Sequence, residues 1–426
     1  MKNNILSVKL WGEKVCSIKW DGSYQKGWGR VGAVVSFSRD FAARGLDISP
    51  LKLSLRDPYL LRGIAIPCHE NEYEGLPAFL SDSLPDDWGN DVFRRWAQVN
   101  GIRQKDISPV DKLSFIGKRG MGAFEFEPEA RNECAGDSIE LASLYSLAEE
   151  IWRDRESASV NLQGDGASLE DLMRVGTSAG GQHPKAIIAV NKNTGEVRSG
   201  QLLLPSEWRQ CIIKFNDFDL WPASEVEYAY YLMAKAAGVE MTSCELFRVG
   251  EKNHFLTERF DRGDGDKQVV STLYALNGPT EDYSDIFYVA RLLRLPQNEI
   301  IQLYRRMVFN FLAGNADDHD KNFSFLMARD GVWHLSPAYD LTFSVNLRDK
   351  FRGESHAMSL CGKRSGITET DLLDFARKND ISSPRDIINE VSEAVAKFAD
   401  YAKEAAVPET TTNLIANVLT SLRVLE

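Results

Sequence analysis

Residues 315–322 read NADDHDKN, Asn315 to Asn322, and the fold turns on what this polar stretch is for. Phosphoryl transfer asks for a carboxylate that orients the attacking hydroxyl and, close by, an oxygen donor for Mg²⁺. Asp317 and Asn322 form such a pair, five positions apart. By itself the spacing says little, because an Asp and an Asn five apart arise on the order of once by chance in a chain this long. The competing reading is a polar loop between two elements. The surroundings sharpen the choice. The loop follows the apolar helical run IIQLYRRMVFNFLAG and precedes the strand-like FSFLM. A hairpin then turns at Asp330 and Gly331 and leads into LSPAYD, which ends on a further carboxylate, Asp340.

Protein kinases supply an Asp and an Asn at this spacing and place their other Mg²⁺ ligand after such a hairpin. Three upstream stretches fit the same chemistry. In GTSAGGQHPK (176–185), the small residues around Thr177, Ser178, Ala179, Gly180 and Gly181 let backbone amides approach phosphate oxygens. An ordinary surface turn is the competing reading, and the loop is not a Walker A sequence, which disfavours a P-loop NTPase. Lys214 stands in the apolar strand CIIKF, so it either snorkels outward or is held for a ligand. Its partner in the second case is Glu227, on the following helix; Ser224 and Glu227 also have capping-box spacing, and both roles stay open. In HFLTERFDR, the backbone around Glu258 is a candidate hinge against an adenine.

From the start of the chain, short alternating segments at 5–66 (LSVKLW, GAVVSF, LKLSL) predict a small antiparallel sheet. A turn at Pro85, Asp86 and Asp87 opens a helix that ends near Gly101. KLSFIGKRGMGAFEFEP holds three glycines before a strand-like run, and 138–157 repeats apolar residues with helical spacing. A domain boundary is placed near 137. Next come a short helix LEDLMRV, the glycine loop, the strands AIIAV and CIIKF, and a helix over 224–237 with Ser224 as N-cap and Gly238 as C-cap. The strands ELFRV and HFLTERF follow, separated by the turn GEKN. This pattern describes a kinase small lobe. From about 285 the chain is mostly helical, and its last 60 residues read as three amphipathic helices.

The 426 residues are 43% hydrophobic and 26% charged, enough for several cores and, at about 150 residues each, roughly three domains. With 50 basic against 62 acidic residues the formal charge is −12, so direct DNA binding needs a local patch, for which Arg94–Arg95 and Lys118–Arg119 are candidates. Six cysteines stand singly without CxxC pairs, which suggests neither a zinc site nor a disulfide framework but buried, reduced thiols. The N-terminus lacks a signal-peptide core and no apolar run reaches the 18 or so residues of a membrane span. A cytoplasmic protein with no membrane partner is expected.

Taken in order, SLPDDWG and FIGKRGMGAFEFEP, then TSAGGQHPK, IIKF, EVEYAYYLMAKAAG, TERFDR, NADDHDKN and LSPAYDL resemble the HipA family of serine/threonine kinase toxins over most of the chain. Six ordered matches in the kinase portion are far more specific than any one of them. The resemblance implies an α+β, two-lobed protein-kinase-like fold with a β-rich N-terminal subdomain and a mainly helical C-terminal lobe. The implied domains are 1–137 (N-terminal domain), 138–262 (small lobe) and 263–426 (large lobe). It implies Asp317 as catalytic base, Asn322 and Asp340 as Mg²⁺ ligands, Lys214 on the ATP phosphates, and backbone contacts from Glu258 and Phe260 to adenine. It also implies a small helix-turn-helix antitoxin, HipB-like, that binds operator DNA and carries the toxin to it, so that this chain meets DNA only indirectly. The expected protein substrate is a translation component such as an aminoacyl-tRNA synthetase.

The family's glycine loop has a serine three residues before its first glycine; here that position is Thr177, with Ser178 directly after it. Register from Gly180 favours Thr177 as the autophosphorylation site, while Ser178 is the only serine in the loop. His183 and Pro184 precede Lys185, and His183 is assigned no chemistry; His319 is read as bracing the catalytic loop rather than moving protons. Three function classes stand: an active kinase, a HipA-fold binding module acting as co-repressor with the antitoxin, and a two-metal hydrolase built on Asp317, Asp318, Asp320 and His319. The last needs ligands converging from several segments, and no second carboxylate- or His-rich cluster supplies them.

Overall fold

In the computed structural model the described residues are 5–21, 32–68, 71–99, 101–129, 141–154, 183–216, 221–262, 265–346 and 355–422. They form two compact units. The first comprises Met1–Phe218, Glu258–Ser271 and Met327–Val332, and the second Asp219–Thr257, Thr272–Leu326 and Trp333–Glu426.

In the first unit the alternation read from sequence forms β1 (Leu6–Leu10), β2 (Glu13–Trp20), β3 (Ala33–Phe37), β4 (Ile66–Pro67) and β5 (Phe124–Glu127). They make one sheet in the order β4-β3-β2-β1-β5, with antiparallel pairing throughout. Leu6, Val8 and Leu10 point to one buried face, as period two requires. Phe124 and Phe126 come to the same sheet from β5, and the Phe79 ring lies 5.5 Å from Phe124. Each such buried side chain contributes roughly 1.5–3 kcal/mol. LKLSL, expected as a strand, is not one. Asp47 accepts hydrogen bonds from the Ser54 hydroxyl (2.6 Å) and the Leu55 amide (3.1 Å), and this local side-chain-to-backbone bonding winds 46–55 into turns.

The turn at Pro85 to Asp87 opens the helix Asp87–Val99, and Gly101 follows at φ +66. Trp88 on its first turn is fully buried, and its indole N–H donates to the Lys185 carbonyl at 2.9 Å. Lys185 opens β6 (Lys185–Asn191), which is buried along nearly its whole length between β7 (Val197–Ser199) and β8 (Trp208–Lys214). A strand covered on both faces must be apolar, and AIIAV is. The SLPDDWG motif therefore locks the N-terminal region onto the first strand after the glycine loop. Arg95 and Arg119 are buried, Arg119 donating to the Phe115 carbonyl, and Arg94 pairs with Asp91 at 2.9 Å. Neither basic pair is thus the open patch that DNA would need.

In the second unit the helix Ala223–Ala236 has Pro222, not Ser224, as its N-cap. Ser224 lies buried inside the first turn and no side chain caps the helix, so the expected capping box is absent. Gly238 follows its end at φ +74. A hairpin of β9 (Cys244–Val249) and β10 (Lys252–Glu258) comes next. The helices Tyr283–Leu292 and Gln297–Leu312 carry the core of this unit, with Tyr283, Tyr304 and Phe309 fully buried. Among the described residues the last 60 positions hold four helices, not three: Glu369–Lys378, Pro384–Ala396, Phe398–Glu404 and Glu409–Ser421. The chain leaves helical geometry at Lys397 (φ −97, ψ 15), which turns Phe398 into the core. Among the described residues no disulfide forms: Cys16, Cys68, Cys211 and Cys244 are buried, but Cys361 is exposed, contrary to expectation, and Cys134 lies outside the described residues. No helix among the described residues is long and apolar enough to cross a membrane.

Candidate functional site

NADDHDKN begins where the helix Gln297–Leu312 ends. Gly314 turns the chain at φ +60, and a Cβ there would meet Val345 at 2.9 Å, so a side chain is excluded on both counts. Asn315 is buried and folds back: its backbone and side-chain N–H groups both bond Asn310, at 3.0 and 2.9 Å. The Asp317 amide donates to the Ser344 hydroxyl at 2.9 Å, and its carbonyl accepts the Asn322 side-chain amide at 2.6 Å. Its carboxylate stays 70% exposed, with the His319 imidazole 3.9 Å away. His319 caps the short turn Asp320–Asn322, its Nδ1 accepting from the Lys321 amide at 3.2 Å.

Asp340 is brought to the same loop from the other side of the hairpin. Its neighbour Tyr339 donates its hydroxyl to the Lys321 carbonyl (2.7 Å) and receives the Ser324 hydroxyl (2.6 Å). Two residues beyond, the Thr342 amide reaches the Asn315 side chain at 3.4 Å. Asp340 itself has φ +53, a left-handed conformation that costs a non-glycine residue energy and is retained where the surroundings impose it, often at functional sites. Behind this segment, buried Arg306 donates to the Ser336 carbonyl at 2.8 Å, and burial pushes its guanidinium down to about 10.

The three aspartates of the run meet three environments. Asp317 faces outward. Asp318 is wholly buried and accepts from the Tyr283 hydroxyl (2.6 Å), His356 Nδ1 (3.0 Å) and the Met358 amide (3.2 Å). Asp320 accepts the Thr280 amide at 2.9 Å, and burial raises its carboxyl above the usual range. Carboxylates spent on separate partners do not converge as a two-metal hydrolase needs. Among the described residues, no three His, Cys, Asp or Glu side chains group as a metal cage. The hard oxygen donors Asn322 and Asp340, on segments tied to one loop, do suit a single Mg²⁺ that keeps waters of its own.

The remaining candidates stand on other elements. Lys214 ends β8 in the first unit, half-buried and opposite Lys185 in the strand register. Glu227 stands on the helix Ala223–Ala236 of the second unit. Glu258 closes β10, its carboxylate 3.4 Å from Arg209, and the chain beyond it pairs with β8 through Arg259 N–H to the Gln210 carbonyl (2.9 Å), just before Phe260. Thr177, Ser178, Ala179, Gly180 and Gly181 fall outside the described residues. His183 stacks on Trp152, ring centroids 5.8 Å apart.

Two groups received no role from sequence. Lys185, nearly inaccessible, lies 3.2 Å from the Asp86 carboxylate, which burial raises although Lys185 pulls it back. In TERFDR, Asp261 is fully buried between Arg259 (2.8 Å) and Arg262 (2.7 Å) and accepts the Gly122 amide at 2.7 Å. Burial opposes its charge, but the two guanidinium groups hold it well below the usual carboxylate range. Gly122 sits at φ +74, and a Cβ there would come within 3.3 Å of the Val270 amide. The glycines of RGMGAFEFE thus let that turn approach the TERFDR segment.

Residues 6–127 match the HipA N-terminal domain, and residues 177–401 match the HipA-like C-terminal domain. The chain belongs to the HipA family. Among relatives, a "Putative kinase Y4mE" of Sinorhizobium fredii is 26% identical over 210 residues, which cover 43% of this chain and 49% of that protein. The "Serine/threonine-protein kinase toxin HipA" of Shewanella oneidensis is 30% identical over 167 residues, covering 33% and 38%. A "Putative kinase" of Haemophilus influenzae is 24% identical over 193 residues, covering 39% and 56%. The alignments thus span about half or less of these relatives. The structure is similar over nearly its whole length to Shewanella oneidensis HipA, solved with HipB and operator DNA. The TM-score is 0.66 at 18% identity, covering 98% of this chain and 95% of that one. The α+β, HipA-type, kinase-like fold expected from sequence is therefore the fold present.

Proposed function

We propose that this HipA-family chain is an ATP- and Mg²⁺-dependent serine/threonine protein kinase, the toxin of a toxin–antitoxin pair. One observation carries the reading. Asp317 and Asn322 are joined by a 2.6 Å bond through the Asp317 carbonyl, which leaves the Asp317 carboxylate open, while Tyr339 ties Asp340 to the same loop. In this reading Asp317 orients the substrate hydroxyl and accepts its proton, and the exposed carboxylate is reachable by a protein side chain. Asn322 and Asp340 would hold Mg²⁺, which neutralises charge on the transferring phosphoryl group when bound. Lys214 would contact the ATP phosphates and Glu227 would support it; backbone groups at Glu258 and Phe260 would border the adenine. His319 keeps Lys321 in its turn and so holds Asn322 in place. The division 1–137, 138–262 and 263–426 assigns these parts to an N-terminal domain, a small lobe and a large lobe.

The glycine loop at 177–181 is proposed to cover the phosphates. A phosphate on Thr177 or Ser178 would add nearly two negative charges beside ATP and expel the loop, switching the enzyme off. Incubating the purified chain with ATP and Mg²⁺ and measuring intact mass tests this: a single added phosphate mapping to 177 or 178, with declining transfer to protein substrate, is expected. No transfer and no added phosphate would sink the kinase reading. The proposed target is a translation component, which phosphoproteomics after expressing the chain without its partner would identify.

The proposed partner is a HipB-like helix-turn-helix antitoxin bound to operator DNA, with both proteins in the cytoplasm. Support comes from the related HipA solved with HipB and DNA, from the charge of −12, and from the burial of Arg95 and Arg119. In a gel shift at fixed salt the chain alone should give no specific complex. Tight operator binding without a partner would refute the arrangement.

A further inference from the structure

The geometry points to Asp318 as the positioning residue for Asp317, acting through Tyr283, His356 and Met358; the inference rests on Asp317 being the catalytic base. An exposed carboxylate with no hydrogen bond of its own aims where its backbone aims. Asp317 is such a group: its carboxylate lies 3.9 Å from the His319 imidazole, beyond hydrogen-bond distance. Its backbone is fixed from both flanks by a single stretch of chain. The Ala357 amide donates to the Ala316 carbonyl at 2.9 Å, and the Met358 amide donates to the Asp318 carboxylate at 3.2 Å. Residues 356–358 therefore bridge the two neighbours of Asp317.

That stretch is itself anchored. The Ser359 amide donates to the Glu281 carbonyl (2.7 Å), its hydroxyl to the Asp282 carboxylate (2.6 Å), and its carbonyl accepts the Tyr283 amide (2.9 Å). Tyr283 then returns to the loop through its hydroxyl, which donates to Asp318 and accepts from Asn310, the residue that also holds Asn315. The circuit closes on Asp318. A fully buried carboxylate is costly unless every lone pair is used, and here a phenol, an imidazole and an amide converge on it. A purely structural cluster could have used any polar residue anywhere in the core. This one sits directly after Asp317 and joins the loop to the chain that follows Asp340, so the carboxylate and the Asp340 segment are set by one network.

Asp318→Asn tests this with little change of volume. An amide offers one oxygen where the carboxylate offers two, so Tyr283 and His356 must surrender or reverse a donation while Met358 keeps its acceptor. We expect kcat for transfer to fall on the order of 10²-fold, the loss that a displacement of about 1 Å produces, with KM for ATP within about twofold. Tyr283→Phe, which deletes one donor, should lower kcat by about tenfold with the same flat KM. Hydrogen exchange at the amides of Asp317, Ala357 and Met358 should quicken in both. The inference is overturned if kcat stays within twofold of wild type in both variants, or if kcat falls only in step with lost cooperative unfolding. A wild-type chain that transfers no phosphate would refute the kinase reading instead. The exchange measurement then still decides on Asp318, since unchanged protection in Asp318→Asn would remove its positioning role.

Discussion

Replacing Asp317 with Asn separates chemistry from folding more cleanly than any other change at the site, because the loop is held without the Asp317 side chain. Its two structural bonds are both backbone: N–H to Ser344 and C=O from Asn322. The carboxylate is 70% exposed and its contact with His319, at 3.9 Å, is too long and too solvated to stabilise measurably. Asp317→Asn should therefore change unfolding free energy by less than about 0.5 kcal/mol, the range of exposed substitutions remote from special features. The attacking hydroxyl loses its base and orienting partner, worth about 10²–10⁴ in rate, or about 2.7–5.4 kcal/mol in activation free energy. ATP affinity, which on this reading depends on Lys214, Asn322 and Asp340, should hold within a few-fold. The assay is labelled-phosphate transfer together with calorimetric titration of ATP in the presence of Mg²⁺. A variant with more than a tenth of wild-type kcat would refute the role of Asp317. Equal loss of transfer and of ATP binding would show that the residue holds the nucleotide rather than the nucleophile.

Asp261→Asn leaves Arg259 and Arg262 buried without their shared counter-charge and should cost about 3–5 kcal/mol, read as a lower denaturant midpoint with unchanged slope. Because the carboxyl is depressed in the folded state, its stabilisation is complete above the unfolded pKa near 4 and fades only as pH falls through the lower folded value; at neutral pH the full loss should appear. His254 also loses stabilisation as pH falls, but by favouring its neutral form: burial, aided by Lys252, lowers it to about 4, so the folded state favours the neutral ring. Below about pH 6.5 the unfolded chain binds a proton that the folded chain refuses, and stability should decline by at most about 3 kcal/mol between pH 6.5 and 4, a slope that His254→Gln should flatten.

What the sequence reveals and what it hides divide by distance along the chain. Leu6, Val8 and Leu10 alternate because one face of β1 is buried, and that cause is local, so the strand is legible. The same reasoning fails on Leu51, Leu53 and Leu55, which alternate equally well. A single residue, Asp47, captures Ser54 and the Leu55 amide and makes turns cheaper than extension. Ser224 illustrates a second failure. Its spacing to Glu227 satisfies the capping pattern, yet Pro222 takes the N-cap position, and Ser224 lies buried two residues too late to cap. The break at Lys397 is decided by the burial of Phe398, which no periodicity in the surrounding run of helical residues announces.

The site shows the same division within three acidic positions of one four-residue stretch, 317–320. Read as letters, Asp317, Asp318 and Asp320 are interchangeable carboxylates, and a reading that counts them can assemble a metal cluster. The fold gives each a different neighbour: solvent for Asp317, Tyr283 and His356 for Asp318, the Thr280 amide for Asp320. The partners of Asp318 lie 35 and 38 residues away along the chain, on opposite sides of it, and nothing in their own surroundings marks them. The five-residue step from Asp317 to Asn322 is legible because both ends belong to one turn, closed by the Asn322 side chain on the Asp317 carbonyl. A motif thus survives in sequence when a single turn holds it. The support that aims Asp317 depends on a stretch of chain that lies beyond Asp340, and only the folded molecule connects the two.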